Sequence, residues 1–341
     1  MSSTLCVNNL MARSGNAITI SGNVCLSSNA GVTLPNGTYD QRPANPANGT
    51  IRFNTSNNWL EYYYDSNWYT ITGSIPYFID VLVVGGGGGG GYDVGGGGGA
   101  GGLVFLSNIS TYGCSCTYSI TIGAGGAGSS SLSSSAAPNG ANTCFGSFVA
   151  LGGGGGGNYN GANPTATGAP GGSGGGGTGW TYATSGGAGT QTTDTNINLL
   201  SRICGYGNPG GNSTTGSQYT GGGGGGAGGI GTAGINSNST FVAGGLGKYY
   251  TITGANLMYS CGGRGGGDLW TGSAAGSSNT GNGGDGAGQC TFGVPGGGGG
   301  PGGSGIVILR YIGTQRGTGG TVTSANGYTI HTFTSSGTYT A

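Results

Sequence analysis

The stretch Ile79-Asp-Val-Leu-Val-Val-Gly-Gly-Gly-Gly-Gly-Gly-Gly91 decides the fold. Its first half is a short apolar run, interrupted only by Asp80 and rich in β-branched residues, which reads as a strand of a buried sheet. The strand launches directly into seven consecutive glycines. Glycine loses more conformational freedom on ordering than any other residue, about 1 kcal/mol relative to alanine in a helix, so an ordered glycine run requires compensating contacts. Near-pure runs recur at Gly95 to Gly99, Gly152 to Gly157, Gly171 to Gly177, Gly221 to Gly229 and Gly296 to Gly300, in a chain with 91 glycines among 341 residues.

Gly/Ser linkers are not interrupted by strand-like runs such as Ile79 to Val84 and Ile306-Val-Ile-Leu309. Collagen needs glycine at every third position and abundant proline, whereas these glycines are contiguous and the chain has 10 prolines. What remains is an ordered packing of extended glycine segments with polyproline-II geometry, three residues per turn and a rise of about 3.1 Å. Such segments can approach closely enough for backbone N–H···O and Cα–H···O contacts, forming a bundle of helices without side chains.

Eight basic and eight acidic residues balance to a formal charge of zero, and the sole lysine is Lys248. Nucleic-acid binding requires clustered Lys and Arg, so that partner class is excluded. With 19 tyrosines, 8 phenylalanines and 4 tryptophans the chain has the means to build a core. No apolar stretch reaches the 18 residues a membrane-spanning helix requires, and Met1 to Ala12 lacks the pattern of an export signal. A polar, uncharged exterior without such a signal fits an extracellular or virion surface. The cysteines are Cys6, Cys25, Cys114, Cys116, Cys144, Cys204, Cys261 and Cys290, and the single histidine is His331. None of the usual zinc spacings occurs, so no metal and no cofactor is expected; disulfides and buried free thiols both fit the even count.

Along the chain the expected fold is all-β, in three parts. Residues 1–72 form a small N-terminal β module, with a hairpin at Ala17 to Leu26 and a three-stranded meander, Thr50 to Phe53, Trp59 to Tyr64 and Trp68 to Ile71. Residues 73–318 form a large glycine-rich β domain with polyglycine-II-like segments. Residues 319–341 form a C-terminal strand segment around Asn326-Gly327, the turn pair most diagnostic of a hairpin.

Two stretches carry a resemblance. Arg42-Pro-Ala-Asn-Pro-Ala-Asn-Gly-Thr-Ile-Arg-Phe-Asn-Thr55, followed by Leu60-Glu-Tyr-Tyr63 and Trp68, resembles small modules of phage and large-virus fibre proteins. Asp80-Val-Leu-Val-Val-Gly85, Gly98-Gly-Ala-Gly-Gly-Leu103, Tyr118-Ser-Ile-Thr-Ile-Gly-Ala-Gly-Gly126, Phe145-Gly-Ser-Phe148 and Gly302-Gly-Ser-Gly-Ile-Val-Ile-Leu-Arg-Tyr311 resemble a glycine-rich domain family common in tail-fibre and adhesin proteins. The resemblance implies a surface or fibre component; some phage tip adhesins similar to that family stack polyglycine helices. In the family a phrase like Gly327-Tyr-Thr-Ile-His-Thr-Phe-Thr-Ser-Ser-Gly-Thr-Tyr339 often precedes the strand corresponding to Ile79 to Val84, whereas here it stands at the far end.

A strand displaced in this way can fold back or complement the next subunit, and the second option gives a head-to-tail filament. The donor strand would present Val322, Tyr328, Ile330, Phe333 and Tyr339 to an acceptor sheet of Ile79, Val81, Val83, Ile306 and Ile308. Rings in polar loops form a second candidate set: Trp180, Tyr182 and Trp270 stand among Gly, Ser, Thr and Asn, a vocabulary suited to stacking on sugars or to sealing the ends of a glycine bundle.

Catalytic motifs are wanting. Gly-x-Gly-x-x-Gly arises by chance in such a composition, Gly244-Gly-Leu-Gly-Lys248 lacks the distal spacing of a phosphate loop, and His331 sits mid-strand between threonines. No enzyme activity is expected. The expected function is a non-enzymatic structural subunit of an extracellular or virion fibre, assembling head-to-tail with itself as a homopolymer or homo-oligomer; the alternative is a receptor-binding tip adhesin recognising a host surface glycan or protein.

Overall fold

The computed structural model describes residues 33–71, 77–111, 116–159, 166–179, 183–191, 202–214, 219–236, 241–267, 273–289 and 297–341; the hairpin expected at Ala17 to Leu26 lies outside them. The chain forms two compact units, residues 1–72 and 73–341, and is all-β apart from a single 3-10 turn at Tyr39–Gln41 among the described residues.

In the first unit β1 (Asn36–Gly37), β2 (Ile51–Asn54), β3 (Trp59–Tyr64) and β4 (Asn67–Thr70) lie side by side, β1 parallel to β2 and the others antiparallel. Aromatic rings pair across the strands, Tyr62 with Tyr69 at 5.5 Å and Tyr63 with Trp68 at 5.4 Å between centroids. The usual half-buried alternation is inverted: Arg52, Asn54 and Glu61 are buried while Ile51, Tyr64, Tyr69 and Ile71 are exposed. Arg52 and Glu61 are cross-strand partners, so their ion pair closes the face that apolar residues would ordinarily fill.

The second unit continues with β5 (Tyr77–Val84), β6 (Leu103–Thr111), β7 (Thr117–Thr121), β8 (Thr143–Phe145), β9 (Phe148–Ala150) and β10 (Arg202–Tyr206). Then come the short β11 (Phe241–Val242), β12 (Lys248–Tyr250), β13 (Leu257–Tyr259) and β14 (Gly265–Gly266), and finally β15 (Ile306–Ile312), β16 (Thr321–Ala325), β17 (Tyr328–Phe333) and β18 (Gly337–Thr340). An antiparallel six-stranded sheet runs β10-β6-β5-β15-β17-β16, and a four-stranded one runs β18-β7-β8-β9. The sheets share a core in which Ile79, Val81, Val83, Val307, Leu309 and Phe333 meet Ile120, Phe145, Ala150 and Tyr339. On the opposite face of the larger sheet Leu82, Val84, Leu103, Ile306, Ile308 and Ile330 pack against Ala227, Ile252 and Tyr259. Burial on both faces is why β5 reads as Val81-Leu-Val-Val84 without alternation.

Residues 319–341 belong to these same sheets. β17 pairs with β15 from Val307↔Phe333 to Ile312↔Tyr328 and with β16 on its other side, while β18 pairs with β7. The hairpin turn falls at Asn326 and Gly327, both with positive φ (52° and 80°), as a type I′ turn requires. The approach to β16 passes through Gly319 at φ 114°, a conformation that only glycine adopts at little cost.

Between the strands the glycine runs form a lattice with a period of three. Gly85, Gly88 and Gly91 donate N–H to the carbonyls of Gly102, Gly99 and Gly96; Gly86 and Gly89 to Ala141 and Pro138; Gly87 and Gly90 to Gly303 and Gly300, all at 2.8 to 3.0 Å. Acceptor numbers fall by three as donor numbers rise by three, so these three neighbours run antiparallel. The carbonyls of Gly86 and Gly89 accept from Gly153 and Gly156, those of Gly87 and Gly90 from Gly126 and Ser129, and those of Gly88 and Gly91 from Gly284 and Ala287, which makes three parallel neighbours. Segment 85–91 is therefore enclosed on six sides, each residue serving one donor and one acceptor direction as three residues per turn dictate. A Cβ on Gly88 would overlap the carbonyl of Gly154, so only glycine fits there. At the margins the same period appears as side chains: in 123–129, Gly123 and Gly126 are buried while Ala124 and Ala127 are exposed, and Thr167 with Pro170 and Ser185 with Ala188 repeat the step.

Candidate functional site

Trp180, Tyr182 and Trp270 lie outside the described residues, and the candidate site is built from the described residues that adjoin them. Gly179 donates N–H to the Val94 carbonyl at 2.9 Å, Gly266 to Gly95 at 2.9 Å, and Gly267 bridges Thr220. Gly179 and Gly267 thus lie at one end of the lattice, the end where Tyr92, Asp93 and Val94 turn segment 85–91 into segment 95–102. Asn158 joins this end by accepting the Tyr92 N–H on Oδ1 at 2.7 Å, followed directly by Tyr159. Tyr219 precedes Thr220 at the same end, whereas Tyr206 belongs to β10 and lies under the Lys248 ammonium, 4.0 Å from its ring centre.

Hydroxyls finish the glycine segments there. Thr178 Oγ1 donates to the Val94 carbonyl at 3.2 Å and Thr184 Oγ1 to the Thr178 carbonyl at 2.9 Å. Ser213 Oγ accepts the Thr184 N–H at 2.7 Å, and Thr220 Oγ1 both donates to the Ile235 carbonyl and accepts the Ile235 N–H, at 2.8 and 2.6 Å. All four side chains are buried. Backbone groups that lose their lattice partner where a run ends are satisfied by a short side chain one turn away, which fixes the positions where the connections leave.

The residues expected to form a donor strand and its acceptor are distributed within one chain. Tyr328, Ile330 and Phe333 lie on β17 beside β15; Val322 is on the outer strand β16, exposed; Tyr339 is fully buried on β18, its phenol oxygen 2.7 Å from that of Tyr77. The acceptor set does not form one surface: Ile79, Val81 and Val83 face the core between the sheets, and Ile306 and Ile308 face the other side. The antiparallel register, Val83↔Val307 and Leu82↔Ile308, aligns odd with odd and even with even, which separates the two groups.

Two constellations escaped sequence reasoning. In the first unit Arg42, Arg52, Asn54 and Glu61 converge: Glu61 accepts from Arg42 Nη2 at 2.6 Å, Arg52 Nη1 at 2.8 Å and Asn54 Nδ2 at 3.1 Å. The Arg42 guanidinium lies 3.9 Å from the Tyr39 ring centre and 5.6 Å from that of Trp68. Hydrogen bonding from Arg42 holds the Glu61 carboxyl below the usual carboxylate range against the opposing effect of burial, and the same bond raises Arg42. These are the motif residues of the 42–68 stretch, so the pattern encodes a structural clamp. The second constellation is a set of side-chain carbonyls standing in for backbone ones. Asn282 and Asp285 Oδ1 accept the N–H groups of Cys261 and Arg264 at 2.9 and 2.8 Å, and the Arg264 guanidinium closes on Asp285 Oδ2 at 2.6 Å. The i, i+3 spacing of Asn and Asp beside glycines was the available signal.

Among the described residues no group of three His, Cys, Asp or Glu stands together as metal ligands, and no helix is long and apolar enough to cross a membrane. Neither a curated protein nor a solved structure matches the chain. A family model described as a glycine-rich domain matches residues 65–312, ending on the last residue of β15. Since that match takes in the lattice and the strands that launch it, over most of the chain, the protein belongs to the glycine-rich domain family.

Proposed function

We propose that the protein is a non-enzymatic recognition component of an extracellular or virion surface, in which the glycine lattice is a rigid platform and the connections at its Tyr92–Val94 end meet a host surface glycan or protein. One observation carries this reading over a head-to-tail fibre subunit: β17 is hydrogen-bonded to its own β15 along six residue pairs, and β18 to its own β7, so the C-terminal strands complete sheets of their own chain. A donated strand would have to forfeit those pairs first. The lattice supports the platform role, because a core of backbone hydrogen bonds without side-chain rotamers holds the ends of its segments at fixed separations.

Electron microscopy of the full-length chain beside a version ending at Gly320 tests the choice. Discrete particles from the full chain are expected; filaments from it, lost on truncation, would instead identify a strand-donating subunit. Binding to host cells or glycans is then compared for Trp180→Ala and Trp270→Ala variants. Weaker binding at an unchanged melting temperature is expected, whereas unchanged binding with a lower melting temperature would assign the rings to sealing the lattice.

A further inference from the structure

We propose that His331 is an acid-operated latch that holds residues 316–320 and, through them, the C-terminal strand β18. His331 is fully buried in the middle of β17 and is the only histidine of the chain. Its Nδ1 lies 2.7 Å from the Gly319 carbonyl oxygen, which can only accept, so Nδ1 carries the proton. In the neutral ring Nε2 is then an acceptor and takes the Tyr311 O–H at 3.0 Å. Having donated its one proton, the Tyr311 oxygen accepts the backbone N–H groups of Arg316 and Gly317 at 2.9 and 3.1 Å, which occupies both of its lone pairs.

Both ends of this relay fasten residues 316–320, the last five of the eight-residue connection between β15 and β16. That connection in turn fastens β18: Thr318 and Thr340 exchange N–H···O bonds at 2.8 and 3.0 Å. The His331 ring meets Tyr339 edge-on at 5.1 Å, and Tyr339 shares a hydrogen bond with Tyr77.

A second proton on the imidazole has no place in this arrangement. Nε2–H would point at a hydroxyl whose lone pairs are both in use, so either the imidazolium leaves or Arg316 and Gly317 lose their acceptor. The titratable groups around the ring are Tyr311 from β15, Tyr339 from β18, Tyr77 from β5 and, beyond them, Tyr118 from β7. The charged group on the connection is Arg316, its guanidinium 5.4 Å from the Tyr77 ring centre. No Asp or Glu among the described residues forms an ion pair with the ring; Asp80 pairs with Arg310 on the opposite face of the sheet, and the terminal carboxylate of Ala341 follows β18 at the edge of the same core. Burial lowers the His331 pKa, partly opposed by the Gly319 carbonyl. The latch therefore stays closed at neutral pH and opens as acidification charges the ring.

The single histidine makes the test direct. Ring nitrogen NMR of the full chain is expected to show the Nδ1–H tautomer at neutral pH. Amide exchange, corrected for intrinsic rates, should show protection of 316–320 and 337–340 falling at least about tenfold as pH drops from about 7.5 to about 5 while segment 85–102 is unaffected. In His331→Gln that pH dependence should vanish, whatever the variant's protection at neutral pH. In Tyr311→Phe, which removes the relay but keeps the ring, the histidine should titrate at a different pH. An Nε2–H tautomer, constant protection of 316–320 across the titration in the wild-type chain, or the same pH-dependent loss in His331→Gln would overturn the proposal.

Discussion

Asn139 and Asn142 stand one polyglycine turn apart, and their side-chain carbonyl oxygens each take a backbone N–H from the neighbouring segment, Gly155 and Gly152, both at 2.8 Å. Amide side chains thereby accept the N–H groups that a neighbouring glycine segment's carbonyls would otherwise take.

Asn142→Ala should leave the Gly152 N–H buried without an acceptor, at a cost of about 1 to 3 kcal/mol. Asn142→Asp keeps an acceptor at that point and should cost less. Asn139→Ala should be comparable and forfeits in addition the Nδ2 donation to the Pro170 carbonyl at 3.0 Å. Denaturant titration of the three variants checks the order.

Gly88→Ala and Gly229→Ala separate crowding from glycine content. A methyl on Gly88 overlaps a backbone carbonyl that is itself fixed by the lattice, whereas the nearest atom to a methyl on Gly229 is the Leu246 nitrogen at 3.7 Å. The first substitution should cost more than about 4 kcal/mol or abolish folding; the second should lie within about 0.5 kcal/mol of the parent. Equal losses in a melting experiment would contradict the close-packed account.

The Glu61 clamp sets an acid limit on the first unit. Glu61 has a lowered pKa in the folded chain, so its contribution is fully present above the unfolded carboxylate value of about 4.3 and is lost as pH falls through the folded value. Glu61→Gln removes that dependence and leaves two arginines without their anion, a loss of about 3 to 5 kcal/mol for a buried pair broken on one side. Fluorescence of Trp59 and Trp68, in a chain with Trp180 and Trp270 replaced by Phe, should report the melting of this unit across the acid range.

The fold was legible where backbone chemistry is written in composition. Ile79 to Val84 and Ile306 to Leu309 read correctly as strands of a buried sheet because apolar runs with so little alternation have few other uses. Asn326-Gly327 read as a hairpin because few other pairs accept two positive φ values. The glycine runs announced extended segments, yet contiguous glycine hides its own period: in Gly85 to Gly91 all three faces are identical, so neither direction nor partner is marked. The period surfaces only where a face is exposed and a side chain is tolerated, as at Ala124 and Ala127. The Arg42, Arg52 and Glu61 clamp was visible as a motif but not as an interaction, because the meander pattern points charged residues to solvent, and the cover over that face comes from Gly37, Thr38, Tyr39 and Arg42, outside the meander itself.

The lattice also imposes a counting rule on change. Because successive residues of a run address three different neighbours, removing one glycine from Gly85 to Gly91 turns everything downstream by a third of a revolution and misaddresses every later bond. Removing three restores the addresses, shortening the segment without reassigning it. Insertions and deletions in these runs should therefore be accepted in multiples of three, matched between 85–91 and its return segment 95–102, so that the length of the platform is adjustable in discrete steps while its cross-section stays constant.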